Sequence, residues 1–157
     1  VAFADPILGE PDIVVAEDIL AFAGVAPPTL RLYPVESHVA EKFHAYTVPR
    51  ERESSRVKDL PDLALLAKIR EIDARQLRQA LEQTFAFRNT HPLPSSVPEP
   101  PSSWADVYGR VADEDELDWK TLAELAAAVR VFLDPVLKGG ETRHWFPLQW
   151  EWLPPDE

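Results

Sequence analysis

The segment Leu-Ala-Glu-Leu-Ala-Ala-Ala-Val-Arg-Val-Phe-Leu-Asp-Pro-Val, residues 122–136, has the clearest structural pattern in this sequence. Its large apolar side chains recur every three or four residues, which is the spacing of one face of an α-helix. Pro135 stands near the end of the pattern. We therefore predict a helix over residues 121–137 whose apolar face is buried, with these side chains in the core: Leu125, Val129, Phe132 and Val136.

The same spacing appears in three earlier segments, each bounded by a residue that starts or stops a helix. The first predicted helix lies between Pro34 and Pro49, and the second begins near Asp59. A third begins at Asp73, which forms a capping-box pair with Gln76. The predicted buried stripes are Val39, Phe43 and Tyr46; Leu63, Leu66 and Ile69; and Leu77, Leu81 and Phe85. Residues 103–106 can open a further short helix.

Extended structure is expected only near the start of the chain. Residues 1–8 and 29–33 fit strands. The stretch from Pro11 to Pro28 fits a short helix or an irregular segment, and its run Ile13-Val14-Val15 fits a strand equally well. The predicted fold class is therefore mainly α (α+β), with one or two short strands before residue 34 and at least four helices after it.

The chain divides by composition into five segments. We expect a sheet end with a connecting segment, a helical region that contains the main motifs, a proline-rich loop, a second helical region and a Trp/Pro-rich tail. The tail can pack on its own domain or on a partner, and the first is the simpler interpretation. The expected boundaries are residues 1–33, 34–90, 91–102, 103–140 and 141–157.

Charge is distributed unevenly over the 157 residues. The formal net charge is -11, whereas residues 31–90 contain 11 Lys/Arg against 9 Asp/Glu, a net of +2. A strongly acidic protein does not attract polyanions at long range. Any contact with a nucleotide or nucleic acid is therefore expected within residues 31–90.

Several classes of protein are excluded or disfavoured by composition. The chain has no Cys, which excludes disulfides, thiolate catalysis and iron–sulfur clusters. Its histidines, at positions 38, 44, 91 and 144, lack the spacing of a zinc site. The sequence shows no membrane-spanning run and no signal peptide, so a cytoplasmic location is expected. The absence of Met and a start within a strand-like run indicate a fragment.

Two stretches combine residues suited to phosphate chemistry. The first reads Tyr-Pro-Val-Glu-Ser-His-Val-Ala-Glu-Lys-Phe-His-Ala (residues 33–45), and the second reads Ser-Arg-Val-Lys-Asp-Leu-Pro-Asp-Leu (residues 55–63). Taken singly, Lys42 fits a solvated helical lysine. Asp59 and Asp62 equally fit acids that stabilise a helix start.

Together, these stretches resemble the AbiEii/AbiGii toxin family of nucleotidyltransferases, the toxin halves of bacterial abortive-infection toxin–antitoxin pairs. The resemblance extends to Phe3-Ala4-Asp5, to Thr84–Arg88 and to Phe132–Val136, in order along nearly the whole chain. It implies that this chain is the helical C-terminal portion of a protein with the nucleotidyltransferase fold. It also implies transfer of a nucleotide from an NTP to an RNA end, such as a tRNA, or to a protein side chain.

The resemblance also implies roles for individual residues. Lys42 would neutralise triphosphate charge, and Arg56 and Lys58 would contact phosphate. Asp59 and Asp62 would lie beside Lys42, one of them directed toward the active site and the other capping its helix. Three weaker candidates are Glu36 and Glu41, for which a salt bridge to Arg56 or Lys58 is the simpler interpretation, and Asp5.

The sequence departs from the family in one important respect. In the family, a Gly-rich turn and an Asp-x-Asp metal-binding pair precede the strand that corresponds to the start of this chain. This sequence contains neither feature before that strand. We therefore expect Mg²⁺ and NTP to act in the full-length parent, with no cofactor and no turnover in this chain alone. Pro61 replaces an aromatic residue between the two aspartates and is compatible with a first helical turn.

Two functional hypotheses follow. The first is the C-terminal part of a toxin nucleotidyltransferase with a cognate antitoxin as partner. The second is a non-catalytic helical module that keeps the fold and binds an antitoxin or another protein. Neither hypothesis involves a membrane.

Overall fold

The computed structural model describes residues 11–16, 21–24, 26–50, 56–139 and 143–154. The predicted strand over residues 1–8, and with it Asp5, lies outside these residues. Within them, the chain forms five α-helices and two small antiparallel sheets. This composition confirms the predicted mainly α (α+β) class, and all five helices follow Pro34.

The first sheet is a two-stranded ribbon at the start of the described chain. Strand β1 (Asp12–Val15) pairs antiparallel with β2 (Thr29–Leu32), and Ile13 stands opposite Arg31. A short 3₁₀ turn, Ala21–Ala23, lies between the two strands. The Ile13–Val15 run is therefore a strand, and the described residues before Pro34 contain two short strands, in agreement with the prediction.

The five helices follow one another along the chain, with long segments between α1 and α2 and between α3 and α4 and shorter connections elsewhere. Most of their predicted apolar stripes are fully buried, because each helix packs at least one face into a common core. Their bounds are α1 Val35–Thr47, α2 Asp59–Ala67, α3 Ala74–Arg88, α4 Ala105–Glu114 and α5 Leu122–Leu137.

Helix α5 lies at the centre of the core and packs against α2, α3 and α4. Thr121 caps it, since its side chain accepts from the Glu124 backbone N–H while the Glu124 carboxylate accepts from the Thr121 backbone N–H. Pro135 is accommodated in the last turn. The four side chains predicted to be buried are each 0–3% exposed: Leu125, Val129, Phe132 and Val136.

Helix α3 starts as predicted. The Asp73 side chain accepts hydrogen bonds from the backbone N–H groups of Arg75 and Gln76, which satisfies two donors that the helix leaves unpaired. At the other end, Asn89 adopts the left-handed conformation with φ 47° and closes the helix.

Helix α2 is shorter than its sequence pattern predicts. It ends at Ala67, so Ile69 lies beyond the helix and is 63% exposed rather than buried. The Ala67 carbonyl accepts a 2.7 Å hydrogen bond from the indole N–H of Trp145. This hydrogen bond comes from a residue near the other end of the chain. It occupies the carbonyl that would accept a backbone hydrogen bond if α2 continued for another turn.

The second sheet has three strands that the sequence pattern does not reveal. Strand β3 (Ile72–Asp73) pairs with β4 (His144–Phe146), which pairs with β5 (Glu151–Leu153), all antiparallel. Trp145 and Trp152 are buried, and both rings pack against Phe132 of α5. The tryptophan-rich tail therefore packs on its own domain.

The proline-rich segment between α3 and α4 is fixed to two helices. The Val97 backbone N–H donates to Asp134 on α5, and the Tyr46 hydroxyl on α1 donates to the Pro98 carbonyl. Val97 is itself buried, so this surface loop contributes a side chain to the core, which the sequence analysis did not expect.

Candidate active site

Lys42 extends from α1 to the first turn of α2. Its Nζ donates a 2.7 Å hydrogen bond to Oδ2 of Asp62 and lies 3.5 Å from Oδ1 of Asp59. The Lys42 side chain is 35% exposed, so its ammonium group lies at the edge of the two helices and remains open to solvent. The structure thus brings together the three side chains that the sequence analysis selected as catalytic candidates.

The two aspartates differ in their environments. The Asp62 side chain is 37% exposed, whereas that of Asp59 is 7% exposed. Oδ2 of Asp59 is buried without a hydrogen-bond partner, and Nη1 of Arg56 lies 3.6 Å from it. Two cations therefore flank the Asp59 carboxylate, and this compensates the cost of burying its charge.

Neither aspartate is the N-cap of α2, so the expectation that one of them caps this helix is wrong. The N-cap residue is Lys58, whose side chain makes no capping hydrogen bond. Asp59 is already the first helical residue, and both carboxylates contact Lys42 instead. Their charges still favour the helix start through its dipole.

The carboxylates stabilise the charged form of Lys42. The hydrogen bond that Lys42 donates to Asp62 raises the pKa of the Lys42 ammonium above 10.5, with further contributions from the charges of Asp62 and Asp59, while partial burial opposes the shift. Lys42 therefore remains a cation at any physiological pH.

Arg56 and Lys58 place two more cations beside this group. The Arg56 side chain is 54% exposed, and Lys58 is also exposed. With Lys42 they give three positive charges against the two carboxylates, in a chain whose formal net charge is -11.

The described residues do not offer a good site for Mg²⁺. Magnesium prefers several hard oxygen ligands in octahedral geometry. Asp59 and Asp62 already bind the Lys42 ammonium, and no group of three His, Asp or Glu suited to a metal occurs within the part of the chain that the structure describes.

The weaker candidates make other contacts. Glu36 is buried and accepts hydrogen bonds on both carboxylate oxygens from Nη2 of Arg70, at 3.1 and 3.0 Å. The expected bridge from Glu36 to Arg56 or Lys58 is therefore wrong, because Arg70 follows the end of α2 that lies beside the start of α1. Glu41 accepts a 2.7 Å hydrogen bond from the Tyr33 hydroxyl.

A histidine–threonine network between α1 and the start of the proline-rich segment was not predicted. Nε2 of His44 lies 2.8 Å from the Thr90 hydroxyl, which lies 2.9 Å from Nδ1 of His91. Nε2 of His91 lies 2.8 Å from the Thr47 hydroxyl. The four residues belong to two segments more than 40 positions apart, so no local spacing in the sequence indicates the network.

Within the described residues, no helix has both the length and the hydropathy needed to cross a membrane. A comparison with curated proteins finds no significant match. A family model described as nucleotidyl transferase AbiEii toxin, type IV toxin–antitoxin system, matches residues 1–140. This match spans most of the 157 residues, including α1 to α5 and the whole Lys42 region. The chain therefore belongs to the AbiEii nucleotidyl transferase toxin family.

Proposed function

We propose that Lys42, Asp59 and Asp62 form part of the active site of a toxin that transfers a nucleotide from an NTP to an RNA, such as a tRNA, or to a protein. The observation that supports this proposal most directly is the position of the Lys42 ammonium. It is partly exposed, charged at physiological pH and held by two carboxylates of the neighbouring helix. A mobile surface lysine would have no such fixed position.

In this reaction a hydroxyl group of the acceptor attacks the α-phosphorus of the NTP. One P–O bond forms, the bond between the α-phosphorus and the bridging oxygen breaks, the hydroxyl proton is released and pyrophosphate leaves. Negative charge grows on the leaving group in the transition state. A fixed cation such as Lys42 stabilises that charge at little reorganisation cost.

The other residues have supporting roles in this proposal. Asp62 holds the Lys42 ammonium directly, and Asp59 does so from a buried position. Arg56 and Lys58 bind the phosphates of the NTP, the guanidinium as a planar donor and the ammonium as a point charge. Magnesium, when bound with the NTP, would neutralise phosphate charge in the same reaction.

The partner proposed for this toxin is its cognate antitoxin, since the family belongs to type IV toxin–antitoxin systems. A chain that only binds an antitoxin would not need a charged group in a fixed position. Replacement of Lys42 therefore separates the catalytic proposal from the non-catalytic alternative.

The test replaces Lys42 in the intact gene product. We expect Lys42→Ala to lower the rate of label transfer from NTP by roughly 10²–10³ and to abolish toxicity, the usual effect of removing one transition-state charge contact. Because Asp59 is buried, Lys42→Ala also leaves a carboxylate less compensated. The double variant Lys42→Ala/Asp59→Asn removes that charge as well, so its inactivity cannot be ascribed to an unpaired carboxylate.

Lys68→Ala is the matched control, because Lys68 is an exposed lysine near the other end of α2 that pairs with Asp118. This control is expected to retain full activity. Treatment of the labelled product with nuclease or protease then identifies the acceptor as RNA or protein. A Lys42→Ala protein that is folded and fully toxic would refute the catalytic proposal and favour the non-catalytic module.

A further inference from the structure

A second ion pair joins α1 to the far end of α2. Glu36, in the first turn of α1, accepts from Arg70, which lies just beyond the end of α2. The Glu36 side chain is 7% exposed and that of Arg70 is 38% exposed. This contact is therefore more shielded from solvent than an ordinary surface salt bridge, which contributes little.

The two ion pairs have a crossed arrangement. On α1 an acid comes first and a base follows, Glu36 and then Lys42. On α2 the acids come first and the base follows, Asp62 and then Arg70. Opposite charges therefore meet at both ends of the helix pair only when α1 and α2 run antiparallel. A parallel arrangement would bring Glu36 against the aspartates.

Between the residues of the two ion pairs, both helices carry buried apolar side chains. Val39 and Ala40 on α1 and Leu63 on α2 are all fully buried in the common core. Apolar contacts are non-directional and do not by themselves define how far one helix slides along the other. Hydrogen-bonded ion pairs are directional, so the charged ends of this interface define its register.

Helix α1 is fixed independently on its other side. Phe43 and His44 both pack against the Phe85 ring of α3, with ring centroids 6.0 and 5.0 Å apart. Helix α2 is held by α5 and by the Trp145–Ala67 hydrogen bond, and the Glu36–Arg70 pair adds the contact that fixes its register against α1. This helix contains both aspartates of the candidate site.

We infer that Glu36 and Arg70 are positioning residues: their ion pair fixes α2 against α1 so that the Lys42 ammonium lies between Asp59 and Asp62. The geometric part of this inference stands on the contacts alone. Its consequence for nucleotide transfer rests on the proposed function.

The test replaces Glu36 by Gln, which keeps the size of the side chain and removes its charge. In the 157-residue chain, the readout is an NMR titration of the Lys42 side chain, with circular dichroism to show that the helices remain. The pKa of Lys42 is raised above 10.5 by Asp62 and Asp59. If α2 loses its register in Glu36→Gln, this pKa should fall toward 10.5.

Two further variants complete the design. Arg70→Lys keeps a cation beside Glu36 and should keep the Lys42 titration close to that of the wild type. Glu82→Gln breaks an exposed ion pair with Arg78 on α3 and should change nothing at Lys42. Should Glu36→Gln fail to fold, Glu36→Gln/Arg70→Gln replaces both charges by amides, and the same fall in the Lys42 pKa is expected.

In the intact gene product, Glu36→Gln should lower kcat for transfer about tenfold, which corresponds to a modest misplacement of one catalytic group. A folded Glu36→Gln or double variant with an unchanged Lys42 titration overturns the positioning role, whatever the outcome for Lys42→Ala. Conversely, if Lys42→Ala is fully active and the Lys42 titration still shifts in Glu36→Gln, the proposed function fails and the positioning role stands.

Discussion

Trp145 gives the sharpest test of how the tail supports the rest of the fold. Its side chain is fully buried, its ring lies 4.9 Å from that of Phe132, and its indole N–H donates to the Ala67 carbonyl at the end of α2. Replacing Trp145 by Ala removes both the ring and the donor. Replacing it by Phe removes the donor and keeps an aromatic ring.

The expected magnitudes follow from these two losses. Truncation of a buried Trp costs about 3–5 kcal/mol of unfolding free energy. An unsatisfied buried carbonyl adds about 1–3 kcal/mol. Their sum for Trp145→Ala approaches the whole stability of a typical domain, about 5–15 kcal/mol. Trp145→Phe should cost mainly the second term, about 1–3 kcal/mol, with a smaller loss of packing.

The assay is urea unfolding of the 157-residue chain followed by circular dichroism, with the midpoint and the slope fitted separately. Trp150→Phe is the control, because Trp150 is only half-buried and its hydrogen bond to the Ala128 carbonyl is longer, at 3.2 Å. If Trp145→Phe is as destabilising as Trp145→Ala, the indole hydrogen bond and the buried ring do not make the separate contributions assigned to them. If Trp145→Ala costs no more than Trp150→Phe, the tail does not stabilise the core through Trp145.

Two further predictions concern pH and turnover. Burial lowers the pKa of His91 below 6.5, so the unfolded chain binds more protons than the folded chain near that pH. The unfolding free energy should therefore decrease as the pH falls from about 6.5 through the lowered pKa of His91, and His91→Gln should flatten this dependence in a urea series. The 157-residue chain alone is expected to transfer no label from NTP to RNA or protein with magnesium present, because no group of carboxylates suited to Mg²⁺ occurs among the residues that the structure describes. Labelled acceptor from a preparation free of other enzymes would contradict this expectation.

The helices could be predicted from the sequence because their signals are local. The apolar spacing around Val129, the cap at Asp73 and the stop at Pro49 all lie within a few residues of the features that they predict. Each of these features agrees with the structure. Helical periodicity and capping depend on residues only a few positions apart. They can therefore be recognised without knowledge of the tertiary packing.

The three-stranded sheet could not be predicted in the same way. Its strands are two or three residues long, too short for an alternating pattern to emerge. Ile72 pairs with Trp145, a partner more than 70 positions away along the chain. Such a pairing depends on how the helices first bring both segments together. The early end of α2 has the same cause, because Trp145 binds the Ala67 carbonyl.

The candidate site could be predicted from the sequence in part: its residues could, whereas their contacts could not. Lys42, Asp59 and Asp62 were selected by motif spacing and family resemblance, whereas their contacts span 17 and 20 positions and depend on the docking of α1 against α2. A helical-period argument considers only neighbours three or four residues away, and there Lys42 is a solvated lysine. Helix docking therefore explains why the same residue has a fixed ammonium in the folded chain.

That docking also distinguishes the two aspartates, which the sequence leaves equivalent. Asp59 is buried between Lys42 and Arg56, so its removal affects the compensation of two cations and the start of α2 together. Asp62 is one-third exposed and makes the shorter contact to Lys42. A substitution at Asp62 therefore acts mainly on the position of the ammonium. A substitution at Asp59 acts on the fold of the site as well. Substitution of Asp62 should therefore lower activity with little loss of stability, whereas substitution of Asp59 should lower both.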